Sequence, residues 1–316
     1  MIYPLAFAGL YILLVLAVTA FTYRKLFHPA YKTLEFTRAA GMERSEFDEA
    51  FQNLPWRPFE APTRFGYSLK GVALPCEDGE APTAVFVHGI TWTRYGMFKY
   101  MKSFIERGWN VVAFDLCGHG ATGAQGLRSP SYGYHERHDV EAVLETVRKE
   151  YPESGVFGLV GESLGAASVL QYCGMPGAKA SFAVADCPFS SGFEELDARL
   201  ASQHFPRLVR MPVEALILAL TKLLRRFPLE EASSMKAVLS TDLPILFVHG
   251  LDDGYVPFSM SIRMYNERKK AGIGKTRLLL VAGARHAKSW NTDPRQWERT
   301  VFDFIEECLD KAVSKG

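Results

Sequence analysis

The sequence is poor in the residues that would tie it to redox or metal chemistry. Its five cysteines, Cys76, Cys117, Cys173, Cys187 and Cys308, are scattered through 316 residues, and no C-x-x-C pair occurs. An odd, dispersed set argues against a disulfide framework and supplies no clustered zinc ligands. The five read as small buried hydrophobes. Charge of one sign is missing too. Lys plus Arg total 36 against 35 Asp plus Glu, so no global field draws nucleic acid or acidic partners. Basic runs interleaved with aromatics are absent, which sets nucleic-acid binding aside. There are no internal repeats and no low-complexity tract.

One absence is local. Ile2 to Tyr23 holds no charged side chain, and no Lys or Arg precedes it. About 20 apolar residues can cross a bilayer core as a helix. Arg24, Lys25 and Lys32 follow the run. A secretory signal normally carries positive charge ahead of its apolar stretch. Residues 1–23 are therefore expected to be an uncleaved, single-pass membrane anchor, and the positive-inside tendency puts the rest of the chain on the cytoplasmic side. The alternatives are a signal peptide processed near Val18-Thr19-Ala20, leaving a secreted chain, and a buried helix of the folded domain.

What is present fits a globular α/β domain. Hydrophobic residues at 48% and charged residues at 22% are ordinary for a packed fold, and the length suffices for one large core. Residues 24–61 read as a juxtamembrane linker broken by Pro55, Pro58 and Pro62, with helical texture near Met42 to Phe51. Phe65 to Leu74 alternates like an edge strand. Beyond it, short apolar runs end in turns and are followed by helical stretches. The expected strands are Thr83–Val87, Asn110–Phe114, Val156–Val160, Ser181–Ala185, Ile245–Val248 and Arg277–Val281. The expected helices are Met97–Arg107, His135–Lys149, Leu164–Cys173, Ser259–Lys270 and Asp293–Ala312. Such alternation predicts a mostly parallel sheet covered on both faces. Functional groups on such sheets gather beyond the strands' carboxyl ends. The stretch 189–240 has no convincing strand and is expected to be a helical cap within a domain spanning 62–316. A peripheral crossover helix pair is the alternative.

Gly161-Glu162-Ser163-Leu164-Gly165 follows an apolar run and opens a helical one. In that setting G-x-S-x-G marks a nucleophile turn, which lifts the serine hydroxyl above the sheet. A serine hydroxyl needs a neighbouring base, and the expected chain order is serine, acid, histidine. His249 to Pro257 follows a strand and carries Asp252 and Asp253. His286 follows the last strand and is the expected base. It would take the Ser163 proton and return it to the leaving group. An oxyanion hole needs two aimed donors. The backbone N–H groups of Leu164 and Ile90 are expected to supply them, with His88 shaping the loop and Thr91 a further contact.

Together these segments resemble the α/β-hydrolase superfamily, in particular membrane-anchored bacterial hydrolases similar to serine aminopeptidases and monoacylglycerol lipases. The resemblance covers about Phe65 to the end. It rests on Val87-His88-Gly89, Asp115 to Gly120, Tyr132 to Glu136, the Ser163 motif, His249 to Pro257 and His286 to Trp290. It implies Asp253, three positions beyond Gly250, as the acid, with Asp252 the alternative. Arg is usual before Gly-His-Gly in these relatives, and Cys117 stands there here. That puts a structural ion pair in doubt. No cofactor and no metal are expected. Gly272 to Thr276 looks like a phosphate loop, but it precedes a strand and Lys269 replaces the first glycine. His135, Glu136, His138 and Asp139 cluster at a helix start and read as capping groups, while Asp115 and Asp186 read as turn residues.

The expected activity is hydrolysis of an acyl ester, small or lipid-derived, through an acyl-enzyme on Ser163. A peptidase or amidase with the same three residues is the alternative, for which Glu194, Glu195 and Arg199 are candidate clamp residues. A non-catalytic, membrane-tethered protein of this fold is the third reading, disfavoured by the complete set.

Overall fold

The structure, a computed structural model, describes residues 2–123 and 130–313. Met1 and 314–316, the ends of the first and last expected segments, lie outside them. An antiparallel pair, β1 (Arg57–Pro62) and β2 (Ser68–Leu74), opens the sheet. Six strands follow: β3 (Thr83–Val87), β4 (Asn110–Asp115), β5 (Phe157–Glu162), β6 (Phe182–Asp186), β7 (Ile245–Gly250) and β8 (Thr276–Val281). The strand order is β1-β2-β4-β3-β5-β6-β7-β8. β2 runs antiparallel to β4, and every later pairing is parallel. This is the mostly parallel α/β sheet expected from the alternation.

Among the described residues, twelve α-helical segments accompany it: α1 (Ile2–Phe27), α2 (Leu34–Glu43), α3 (Glu49–Gln52), α4 (Phe98–Ile105), α5 (Glu136–Glu150), α6 (Leu164–Cys173), α7 (Gly192–Ser202), α8 (Arg207–Leu220), α9 (Ser234–Leu239), α10 (Ser259–Ala271), α11 (Ser289–Thr292) and α12 (Pro294–Val313). β3 to β7 are buried on both faces, so their residues alternate between two cores. Val85 and Val87 face the core shared with α5, α6 and α10. Ala84 and Phe86 face the one shared with α4 and α12. Trp297 of α12 is fully buried in the second core. Truncating it to alanine would cost about 3–5 kcal/mol. All parallel strands end at the same edge, so the loops after β3, β5, β7 and β8 share one side of the molecule.

Two stretches differ from the sequence reading. Arg57–Pro62 is a strand, although Pro58 and Pro62 had placed it in a linker. β1 pairs only with β2, and an edge strand tolerates proline because one side of it needs no ladder donor. The 24–61 stretch is also folded against the domain. Thr37 Oγ1 lies 2.6 Å from Thr93 Oγ1, and the Lys32 N–H donates to the Thr91 carbonyl at 2.9 Å. Phe47 and Phe51 pack on Phe98 of α4, which gives their apolar surface a partner.

Between β6 and β7 the chain forms α7, α8 and α9, with no strand. α1 runs to Phe27, past Tyr23, and Leu5–Phe27 is long and apolar enough to cross a membrane or to serve as a signal sequence. α1 packs against α8.

Candidate active site

β5 ends and α6 begins at Ser163, with φ 54° and ψ −114°. L residues rarely adopt such a conformation, which costs about 1–3 kcal/mol and persists only where the surroundings impose it. They do so here. A Cβ on Gly161 would stand 2.6 Å from the Ala166 nitrogen, and one on Gly165 would stand 2.0 Å from the Val87 carbonyl oxygen. The two glycines therefore let strand and helix close on each other. The Ser163 N–H donates to the Asp186 carbonyl at 2.8 Å and secures the turn.

His286 follows β8, with its Nε2 2.9 Å from Ser163 Oγ. Its Nδ1 lies 2.7 Å from Asp253 Oδ2. Ser163 and Asp253 are buried and His286 is half-buried. Asp252 is exposed, its backbone N–H donating to the Ala284 carbonyl at 3.0 Å. Burial alone would push the Asp253 carboxyl up. Hydrogen bonds from His249 and His286 outweigh it, and with the Val256 N–H they hold the group well below the usual carboxylate range. An ionised Asp253 favours the His286 tautomer with its proton on Nδ1. That leaves Nε2 free to accept from the serine.

The loop after β3 approaches the same point. A Cβ on Gly89 would stand 3.3 Å from Ser163 Cβ. Two buried histidines brace this loop. His88 Nε2 accepts from the Leu116 N–H at 3.0 Å, so its Nδ1 carries the proton and donates to the Gly89 carbonyl at 2.7 Å. His119 Nε2 accepts from the Thr91 N–H at 3.2 Å, and its Nδ1 donates to the Cys117 carbonyl at 2.9 Å. Burial pushes His88 down to about 4 and His119 down to about 3, so both rings are neutral at ordinary pH. Ile90 and Leu164 stand beside Ser163 around a small cavity.

Several functional neighbours carry no sequence signal. His249 is fully buried, 3.1 Å from Asp253 Oδ2 through Nε2 and 2.7 Å from Ser261 Oγ through Nδ1. Asp253 thus joins two histidines, and only His286 reaches the serine. Beneath the serine, Lys99 pairs with Glu162 at 2.5 Å and donates to the Ala287 carbonyl at 3.0 Å. Burial pulls the Lys99 ammonium down, but the Glu162 and Glu46 carboxylates outweigh it and raise it. Tyr100 bridges Glu162 and Asp186 at 2.9 and 3.0 Å. Asp186 also accepts from Ser289, and Asp115 is held by Arg94 at 2.9 Å. Both aspartates are therefore tied into buried networks at the strand ends. Glu136 and Asp139 are likewise engaged, with the Gly133 N–H and the Tyr67 hydroxyl.

Two spaces flank the serine. One, of about 350 Å³, is lined by Gly89, Ile90, Trp92, Tyr255 and His286, with Arg44 and the Lys288–Glu46 ion pair at its wall. The other, of about 10 Å³, is lined by Tyr132, Phe189, Glu195, Arg199 and Tyr255. Arg199 Nε donates to Glu195 at 2.6 Å and its other end meets the Tyr255 hydroxyl. Burial pushes Glu195 up, against the opposing pull of Arg199. Cys187, Asp253 and His286 each present a potential metal-ligand atom, all within 4.8 Å of one another. Burial and the Asp186 carboxylate push the Cys187 thiol well up, and a protonated thiol is a poor metal ligand.

Residues 80–231 match a family model described as "Serine aminopeptidase, S33". The chain is 30% identical over 263 residues to the Bacillus subtilis (strain 168) protein YqkD, described as uncharacterized, with 83% of each chain covered. Among solved structures, the Pyrococcus furiosus esterase Pf2001 is similar, with TM-score 0.65 and 20% identity over 83% of this chain and 96% of that one. An acylaminoacyl peptidase from Pyrococcus horikoshii is similar as well, with TM-score 0.61 and 18% identity over 81% of this chain and 42% of that one. The two structural likenesses show the shared fold. Joined to the serine turn and the strand order, these matches show that the chain belongs, with YqkD, to the α/β-hydrolase superfamily of serine hydrolases, its central part matching the S33 serine aminopeptidase model.

Proposed function

We propose that this hydrolase cleaves carboxylic esters through an acyl-enzyme on Ser163. The carrying observation is the Ser163–His286–Asp253 hydrogen-bonded chain, at 2.9 and 2.7 Å. Ser163 Oγ attacks the ester carbonyl carbon while its proton passes to His286 Nε2. The resulting oxyanion sits near the Leu164 and Ile90 N–H groups, where each donor is worth roughly 3–4 kcal/mol of barrier. Collapse breaks the bond to the alcohol oxygen, which takes the proton from His286. Water then attacks the acyl-enzyme, giving its proton to His286 and releasing the carboxylic acid and a reprotonated Ser163. Asp253 stabilises the imidazolium in both halves.

Ester over amide is supported by the two spaces beside the serine. The roomy one has Ile90, Trp92 and Tyr255 in its walls and suits an apolar chain. A helix apolar enough for a membrane makes lipid-derived esters a natural source. The peptidase reading is favoured by one observation. The Glu195 Oε2 atom is buried with no hydrogen-bond partner among the described residues, and a substrate amine would satisfy it. That amine would first have to displace Arg199.

A fluorophosphonate probe tests the nucleophile. Labelling of the wild type and its loss in Ser163→Ala is the expected result. Labelling of both, or of neither, overturns the assignment. Turnover of p-nitrophenyl esters against aminoacyl amides ranks the substrates, and faster amide turnover reverses the proposal.

A further inference from the structure

We infer that α1 and α8 form a single two-helix platform that enters the surface of a lipid bilayer. The domain then lies on the membrane and does not hang from a free anchor.

The two helices run side by side in the same direction. Near one end, the Tyr11 hydroxyl donates to the Leu208 carbonyl at 2.7 Å. Near the other, the Arg225 guanidinium lies 5.1 Å from the Phe27 ring centroid, and Phe27 meets Phe227. From 11 to 27, α1 covers about 24 Å at α-helical rise, and α8 with the π-helical turn after it runs beside that length. Val15, Val18, Thr22 and Leu26 fall on one stripe of α1 and are buried. The opposite side of α1 stays apolar and exposed.

The outward face of α8, and of the π-helical turn at 221–225 that follows it, continues that surface. Leu208, Met211, Ala215, Ala219 and Leu223 recur at spacings of three and four and are all exposed. Leu208 is 73% and Leu223 75% accessible. A buried stripe opposite them, Val209, Val213 and Ile217, holds α8 to the core. A soluble domain rarely leaves such a stripe open beside a second apolar helix. Cations collect where both helices end. Arg24, Lys25 and Arg226 are exposed there with no ion pair among the described residues, while Lys222 pairs with Glu230. Apolar surface bordered by cations is the pattern of a helix lying in the interface of an anionic bilayer.

An upright α1 conflicts with this packing. With Arg24 at one surface, Tyr11 would stand about 20 Å into a core about 30 Å thick. Leu208 would go with it, and so would the neighbouring Arg210–Asp197 pair. Charged groups at that depth are expensive. Lying along the interface keeps the pair in water and both apolar faces in lipid. The chain leaving α1 reaches the active-site loop within five residues, through the Lys32–Thr91 bond. The pocket rim is thereby held near the bilayer.

The test uses the full chain with phosphatidylcholine–phosphatidylglycerol vesicles. Tryptophan is introduced singly as Leu208→Trp, Leu223→Trp and, at the exposed end of α9, Leu239→Trp, and quenching by brominated lipid is read against the wild type. We expect the first two to be quenched at least about twofold more than the third, and comparably to each other. Equal quenching at all three overturns the platform, and strong quenching at 208 alone points to an upright α1. In a second measurement, Leu208→Glu with Leu223→Glu lowers vesicle partition at least about tenfold, given the apolar area of two leucines. Unchanged partition overturns the inference. Hydrolysis of a water-soluble ester, unchanged in the double variant, certifies its fold. Loss of that activity in the wild type instead would count against the esterase reading alone.

Discussion

The two spaces beside Ser163 differ in room and in how their charges are engaged. On the side of the β3 loop, about 350 Å³ opens among Ile90, Trp92 and Tyr255, and the wall charges Lys288 and Glu46 pair with each other. On the α7 side only about 10 Å³ remains, and Arg199 is already spent on Glu195 and Tyr255. One strained serine thus borders a place to put a chain and a place already filled by the protein's own charges. A substrate gains most where it can displace water without breaking a buried ion pair. Room and engaged charge, more than the serine itself, therefore separate the ester reading from the peptide one.

The largest effects belong to the residues common to both sides. His286→Ala should lower kcat on a p-nitrophenyl ester by roughly 10⁴- to 10⁶-fold. Asp253→Asn should lower it by roughly 10⁴-fold through the wrong histidine tautomer. Asp252→Asn should stay within about threefold, being exposed and hydrogen-bonded through its backbone alone. Steady-state kinetics settles the order, and a larger loss in Asp252→Asn would move the acid. Next comes the open side. Trp92→Ala removes an apolar wall, and kcat/KM on an octanoate ester should fall about tenfold further than on the acetate, as lost burial of a few methylenes implies. Equal losses on the two esters would mean that the chain lies elsewhere.

A further asymmetry is electrostatic. The open side's loop rests on His88 and His119, both neutral, whereas the closed side is walled by the Glu195–Arg199 ion pair. Each folded pKa, about 4 and about 3, lies below the unfolded value near 6.5. As pH falls through 6.5 the unfolded chain takes up protons that the folded rings refuse. Their stabilising contribution is complete above 6.5 and declines toward pH 4, by about 1.4 kcal/mol per pH unit for each histidine. Urea midpoints at pH 7, 5.5 and 4.5 measure the decline, which should be shallower in His119→Gln. Parallel slopes in the two proteins would remove His119 from the account.

Much of this was legible where structure is local. Gly161 to Cys173 reads as strand, turn and helix because the glycine clearances and the apolar runs sit within thirteen consecutive residues. Ser163 and His286, whose side chains meet, were each named from their places after strand-like runs, since parallel strands deliver their ends to one edge; position alone left Asp252 and Asp253 open, and the family resemblance pointed to Asp253. What depends on distant packing was not legible. His249 is one turn of chain from Asp253, yet only the seat against Ser261 aims it there. Glu46 reaches Lys288 across 242 positions because Phe47 and Phe51 found partners on α4, which no pattern in a proline-broken stretch announces. The course of α1 along α8 was hidden for the same reason. Hydropathy reports that a helix is apolar, and not which face another helix covers.

The smallest expected effect tests the closed side most directly. Glu195→Gln keeps the side-chain volume and removes the charge. Arg199 then loses its buried carboxylate, while its contact with Tyr255 remains. If substrate uses only the open side, ester turnover should change by less than about threefold, since nothing that touches the reacting atoms has moved. Thermal stability should fall modestly, by about 1–3 kcal/mol, because a charged hydrogen bond in a buried site is lost. An amine-bearing substrate responds differently. Its ammonium would pair with Glu195 in place of Arg199, and the glutamine would raise its KM while leaving kcat on simple esters alone. A large, selective KM effect on aminoacyl amides would therefore turn the closed side into a binding site and reverse the ranking of the two spaces. A flat response on both substrate classes would leave Glu195 as the internal partner of Arg199 and the open side as the place where the chain is held.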